Sequence, residues 1–252
     1  MRTSGVRRDF EQGYLDVNFP AQPFLATLPL LRQTFQLFFA NLPFLAGVTL
    51  GVYVPGKLAI QFLAYLLEIP TDGLPAYGLL VTGDLLLGAL VVPAVVYGLV
   101  QRFRGTDARP AEALRWGRRQ WLRTLGNDLR VEITIGLYLL LLVVPGILAS
   151  LRLAYVEVIV AVEGDTQADP LPRSEALARG RLWRIVGVML PLGVINGAAT
   201  FLLLDRFPGI AASRPLLAIA ESLLALIAQL SSVAALLMYL GSIPAKPERR
   251  AA

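Results

Sequence analysis

The sequence predicts an all-α polytopic membrane bundle: six transmembrane or re-entrant segments in three hairpins, with amphipathic interfacial helices beside them. Three observations lead there. Of 252 residues, 56% are hydrophobic and 16% charged, and the mean hydropathy is +0.61, whereas a soluble domain carries roughly a quarter charged residues on its wetted surface. Apolar stretches recur at about the 20 residues needed to cross hydrocarbon. The arginines fall between those stretches in two dense groups, the pattern expected of cytoplasmic connections.

Residues 1–22 read as a polar tail. Arg2, Arg7, Arg8, Asp9, Glu11 and Asp16 precede any apolar run, so the segment does not read as a cleaved signal. A single membrane domain is expected over 23–243. Its first hairpin, 42–101, has arms at 42–67 and 76–101. Pro55-Gly56-Lys57 interrupts the first arm and Asp84 lies in the second. The connection between them holds Glu68 and Asp72 and no base, so it is expected outside. The third hairpin, 185–241, joins an uncharged arm, 185–204, to an arm whose only charge is Glu221. Residues 244–252 form a short basic tail. Both termini are then cytoplasmic.

The middle hairpin, 131–163, follows from the arginines. Arg102, Arg104, Arg109, Arg115, Arg118, Arg119, Arg123 and Arg130 precede it, and Arg173, Arg179, Arg181 and Arg184 follow it. If both groups share one side, the chain between them must go in and come back. As one helix it would measure about 50 Å; folded at Pro145-Gly146 it gives two arms of about 25 Å or less. Proline lacks an amide proton and glycine tolerates turn geometry, which suits that dipeptide to the apex. The alternative is one long kinked helix and five spans, with the arginine groups on opposite sides.

An internal repeat accompanies this plan. Glu112-Ala113-Leu114 with Gly117-Arg118 matches Glu175-Ala176-Leu177 with Gly180-Arg181, and a tryptophan follows each, Trp121 and Trp183. In the first copy Leu114, Gly117, Trp121 and Leu125 share a helical stripe opposite Glu112, Arg119 and Arg123. A basic amphipathic helix with boundary tryptophan suits a membrane surface. Interfacial helices are therefore expected at about 24–40, 110–126 and 173–183, the first from a fainter copy at residues 30–38. Candidate lipid-headgroup contacts are Arg115, Arg118, Arg119, Trp121, Arg123, Arg179, Arg181, Trp183 and Arg184. The alternative is coincidence among abundant residues.

Charges inside apolar spans are expensive and mark candidate sites. Lys57, Asp84, Arg152 and Glu221 all fall in the outer half of their segments when counted at 1.5 Å per residue. They are expected to meet as a balanced polar cluster, Lys57 with Asp84 and Arg152 with Glu221. The cluster would bind a lipid headgroup or small ion, or else only fix the packing register of the hairpins.

Cysteine and histidine are both absent, which removes thiolate chemistry, the usual general base and the commonest imidazole metal ligand. No acids pair at a spacing useful for catalysis, so no enzyme activity, cofactor or metal site is expected. The basic balance is 21 Arg and 2 Lys against 18 acids. Those arginines adjoin apolar runs, which points to anionic lipid headgroups rather than nucleic acid. The expected role is a non-catalytic membrane module that contacts lipid or docks a protein partner in the membrane. The alternative is a carrier or channel for a lipid or small solute, using the polar cluster.

Pro145-Gly146-Ile147, Arg152, Glu163-Gly164, Arg173-Ser174 and the run from Leu177 through Arg184 resemble a bacterial pattern. It is that of the membrane-domain family preceding some glycerophosphodiester phosphodiesterase catalytic domains, and of related stand-alone six-span inner-membrane proteins. The resemblance covers roughly residues 131–190 and implies a six-helix fold with interfacial helices in a bacterial cytoplasmic membrane. Phosphodiesterase activity is not expected to come with it, since no catalytic domain follows before Ala252. One departure is Glu175, where the family places an aromatic residue after the arginine-serine pair.

Overall fold

The computed structural model describes residues 27–70, 73–163 and 169–242. Both terminal tails, 1–22 and 244–252, lie outside the described residues. All regular structure among these is helical: α1 (Thr27–Ala40), α2 (Leu42–Leu66), α3 (Gly73–Phe103), α4 (Pro110–Leu141), α5 (Val143–Arg152), α6 (Val156–Glu163), α7 (Pro170–Ala178), α8 (Leu182–Thr200), α9 (Pro208–Ala212) and α10 (Arg214–Leu240). A π-helical turn, Phe201–Asp205, ends α8. Five stretches have the length and composition to cross a membrane: α2, α3, α5 with α6, α8 with its π turn, and α10.

The α2–α3 pair is an antiparallel hairpin held close by glycines. The Phe44 ring lies against Gly98, the Tyr53 hydroxyl against Gly88, Leu87 against Gly56, and Ile60 against Gly83. Each large side chain fills the gap that a missing Cβ leaves in the partner helix. Along α2 the buried face includes Leu45, Thr49, Tyr53, Lys57 and Gln61, so Lys57 sits on the core stripe at the i, i+4 spacing of a helix face. α10 packs against α2, α1 and α8 and completes the apolar core with Val233, Leu236 and Tyr239.

Residues 110–126, expected as a separate surface helix, are the first half of the 32-residue α4. Their apolar stripe packs on α3. Gly117 seats on the backbone of Leu90, Trp116 stacks on Tyr97 with ring centroids 5.4 Å apart, and the Trp121 indole donates to the Leu86 carbonyl over 2.9 Å. The same 3.6-residue periodicity serves a membrane surface or a neighbouring helix, so the pattern alone could not choose between them.

The chain doubles back after α4, three residues earlier than expected. The helix breaks at Leu142, which is extended (φ −163°, ψ 142°), and Pro145-Gly146 falls inside α5. Proline at 145 has no N–H for the Leu141 carbonyl, and its ring clashes with a carbonyl four residues back. The break therefore precedes the proline by a turn. Gly146 makes the crossing tight, since a Cβ there would strike the Leu139 side chain. Lower in the hairpin, Val131 and Ile135 pack on Leu153, Val156 and Val160. Residues 139–144 form an exposed apolar tip.

The segment 173–183, also expected as one helix, begins earlier and ends sooner. Asp169 caps α7 by accepting the Leu171 N–H, and the chain turns at Gly180 (φ +76°) before α8. A positive φ favours glycine, which lacks the Cβ that obstructs this conformation.

Candidate functional site

Three of the four charges expected to cluster meet among α2, α3 and α10. Lys57 Nζ lies 2.8 Å from Asp84 Oδ1 and 3.4 Å from Glu221 Oε2. The Lys57 side chain is 1% exposed and that of Glu221 9%, whereas that of Asp84 is 56% exposed. One ammonium is thus enclosed between a shielded carboxylate and a carboxylate that opens to the side of the bundle. Gln61, one turn further along α2, faces Glu221, and the charges of Asp84 and Glu157 both reach Tyr53. Gln61, a polar residue in an apolar span, is legible in the sequence as an interhelical hydrogen-bond former; nothing in the identity of Tyr53 marked it.

Arg152 does not join. It ends α5 with an exposed side chain, beside the elbow that leads into α6. Its carbonyl accepts the Ser174 hydroxyl over 2.7 Å, and that oxygen accepts the Tyr155 N–H over 3.2 Å. Ser174 thereby fastens α7 across the elbow. The neighbouring Arg173 donates to Glu163 Oε1 over 2.5 Å, and the Tyr239 hydroxyl donates to the same oxygen over 2.6 Å. The arginine-serine pair and Glu163 are therefore the joint among α6, α7 and the end of α10. Arg130 pairs with Asp169 over 2.8 Å, tying α4 to α7. That guanidinium holds the Asp169 carboxyl below its ordinary range.

The basic residues divide between two settings. Arg115, Arg118 and Arg119 are exposed along α4, Arg123 is half-buried, and Trp121 is engaged with α3. Arg179 is exposed, Arg181 and Arg184 are half-buried, and Trp183 in the first turn of α8 is 88% exposed. Arg102, at the end of α3, donates to Asn41 over 2.5 Å and lies 4.9 Å over the Phe44 ring.

Asp128 and Glu132 on α4 lie within electrostatic reach of Glu157 on α6. Among the described residues no three such side chains converge as a metal site would require. Comparison with protein-family models, curated proteins and solved structures finds no match to this chain.

Proposed function

We propose that this chain is a non-catalytic integral protein of a bacterial cytoplasmic membrane that works by contacting lipid. In this reading the tail of α4 supplies a sixth segment, the arginine-bearing connections and both termini face the cytoplasm, and α1 and α7 lie at the interface. The observation that carries it is Trp183, almost fully exposed in the first turn of an apolar helix, with Arg181 and Arg184 on either side in sequence. An amphipathic ring at headgroup level with flanking guanidinium groups is the usual membrane-boundary arrangement. The resemblance of residues 131–190 to the phosphodiesterase-associated membrane domains supports the same reading, as does the absence of cysteine and histidine.

The test uses full-length protein in vesicles, with Trp116→Phe and Trp121→Phe leaving Trp183 as the only indole. Brominated anionic lipid should quench Trp183 more than brominated zwitterionic lipid, and the difference should fade as salt screens the arginines. Equal quenching by both lipids at low salt would overturn the reading.

A second reading, a carrier for a lipid or small solute, is favoured by the side opening of the Lys57–Asp84–Glu221 group. Solute flux through vesicles that stops on Asp84→Asn would support it, and flux indifferent to that change would dismiss it.

A further inference from the structure

The buried ionic group does not balance. It holds one ammonium and two carboxylates, and the ammonium is committed unequally. Lys57 Nζ is at hydrogen-bond length from Asp84, at 2.8 Å, but 3.4 Å from Glu221 Oε2. That Glu221 oxygen is shielded from solvent and, beyond its long ion pair with Lys57, makes no hydrogen bond of good geometry. An ionised carboxylate so placed has lost its water without a full replacement, and inside a membrane bundle that charge is neutralised or costly.

A second orphaned polar atom lies two turns earlier on the same helix. Arg214 Nη2 donates to the Ile69 carbonyl over 2.7 Å, while its Nη1, also shielded, has no partner. Arg214 and Gln61 both line a cavity of about 20 Å³ between α2, α3 and α10, together with Ile60, Ala64, Leu79 and Leu217. A cavity of that size has room for about one water molecule, provided polar partners hold it. Arg214 and Gln61 are the two polar side chains on an otherwise apolar lining. Gln61 also faces Glu221, so this one side chain borders both the cavity and the carboxylate, which itself stands behind the lining.

We propose that Glu221 is a proton-binding site, loaded from the Arg214 end of the bundle through this cavity. A hydronium ion gives its proton to Oε2: one O–H bond of the hydronium breaks, one forms on the carboxylate, and neutral water and the neutral acid result; the reverse transfer unloads the site. The positive guanidinium at the entrance and the ammonium beside the carboxylate both disfavour a resident metal cation, whereas a bound proton cancels the carboxylate charge within a covalent O–H bond. The groups that act on Glu221 are Lys57 from α2 and Asp84 from α3. Of the acids on α6, Glu163 meets α10 at its other end, through Tyr239, and Glu157 acts on Tyr53. Proton loss would give Lys57 a second full charge to serve. Occupancy of Glu221 therefore governs how firmly the exposed Asp84 keeps its partner. This inference stands apart from the lipid-contact reading, which is tested at Trp183, so either can fail alone.

The experiment is infrared difference spectroscopy on the full chain in vesicles, titrated in choline chloride and then in sodium chloride at equal ionic strength. Wild type should show a carboxylic-acid carbonyl band that titrates with pH, is absent in Glu221→Gln and persists in Asp84→Asn. A band unaffected by Glu221→Gln, or no such band at any pH, would overturn the proposal. Displacement of the band by sodium at constant pH would also overturn it, making the site a sodium site. Should Glu221→Gln not fold, wild type can be treated with a hydrophobic carbodiimide, which modifies protonated carboxyls in membranes, and mapped by mass spectrometry. Modification of Glu221 that declines as pH rises is expected; an unmodified Glu221 would refute the assignment.

Discussion

Removing Lys57 and removing either of its acids should have very different consequences. At a pH where both acids are ionised, Lys57 has two partners, so losing one acid leaves the ammonium the other, whereas losing the ammonium orphans both acids. With an effective dielectric near 20, a unit pair is worth about 6 kcal/mol at the 2.8 Å contact and about 5 kcal/mol at the 3.4 Å contact, before desolvation. Most of that gross attraction is offset by enclosing a side chain that is 1% exposed. The net loss on deleting the partner of a buried charge is about 3–5 kcal/mol. Lys57→Met should therefore destabilise the protein by about that amount. Asp84→Asn and Glu221→Gln should each cost no more than about 1–2 kcal/mol, the range of a single charge-assisted hydrogen bond. The double variant Lys57→Met/Asp84→Asn should recover part of the loss, because it removes the carboxylate that Lys57→Met strands. Reversible unfolding of the full chain in mixed micelles measures all four. If Lys57→Met stays within about 1 kcal/mol of wild type, or either acid variant matches it, the shared-ammonium argument fails.

Two further perturbations follow from the packing. Gly117→Ala would place a methyl group on the Leu90 carbonyl of α3, where a backbone atom cannot move aside. It should cost about 1–3 kcal/mol as overpacking. Gly126→Ala, nine residues on in the same helix with nothing within 4 Å, should be neutral or stabilising; equal effects in unfolding midpoint would contradict the α3–α4 seam. The Arg130–Asp169 pair predicts a pH window. The Asp169 carboxyl is held below its ordinary range, so the pair's contribution is complete above the unfolded value of about 3.9 and disappears as pH falls through the lowered one. Asp169→Asn keeps a capping side chain for α7 but loses the ion pair. Both partners are about half exposed, so the difference from wild type should stay below about 1 kcal/mol. It should be constant from about pH 5 to 8 and vanish in stronger acid; a difference that grows on acidification would reverse the sign of the argument.

The cluster at Lys57 shows what can be read from residues and what cannot. Counting along each segment at 1.5 Å per residue gives the height of a charge in the bundle, and it set Lys57, Asp84, Arg152 and Glu221 at comparable depths. Height does not say which way a side chain points or which helices are neighbours. α10 packs on α2, which brings Glu221 to Lys57, while the elbow after α5 leaves Arg152 on an exposed surface. The arginine-serine pair presents the reverse case. Its presence was visible, but its work as a joint to Glu163, Arg152 and Tyr155 required three elements to be brought together.

Composition by itself determined that this chain folds as helices with long apolar stretches, because so few charges cannot clothe a soluble core of this size. The sequence also marked Pro145 as a place where the middle apolar region must kink or turn, since proline breaks the hydrogen-bond ladder, and left both outcomes open. Only the tertiary structure decided that residues 110–126 cover α3, that the turn falls at Leu142, and that a single ammonium is divided between two acids. Those outcomes depend on which surfaces face each other, and periodicity along one helix carries no information about its neighbour.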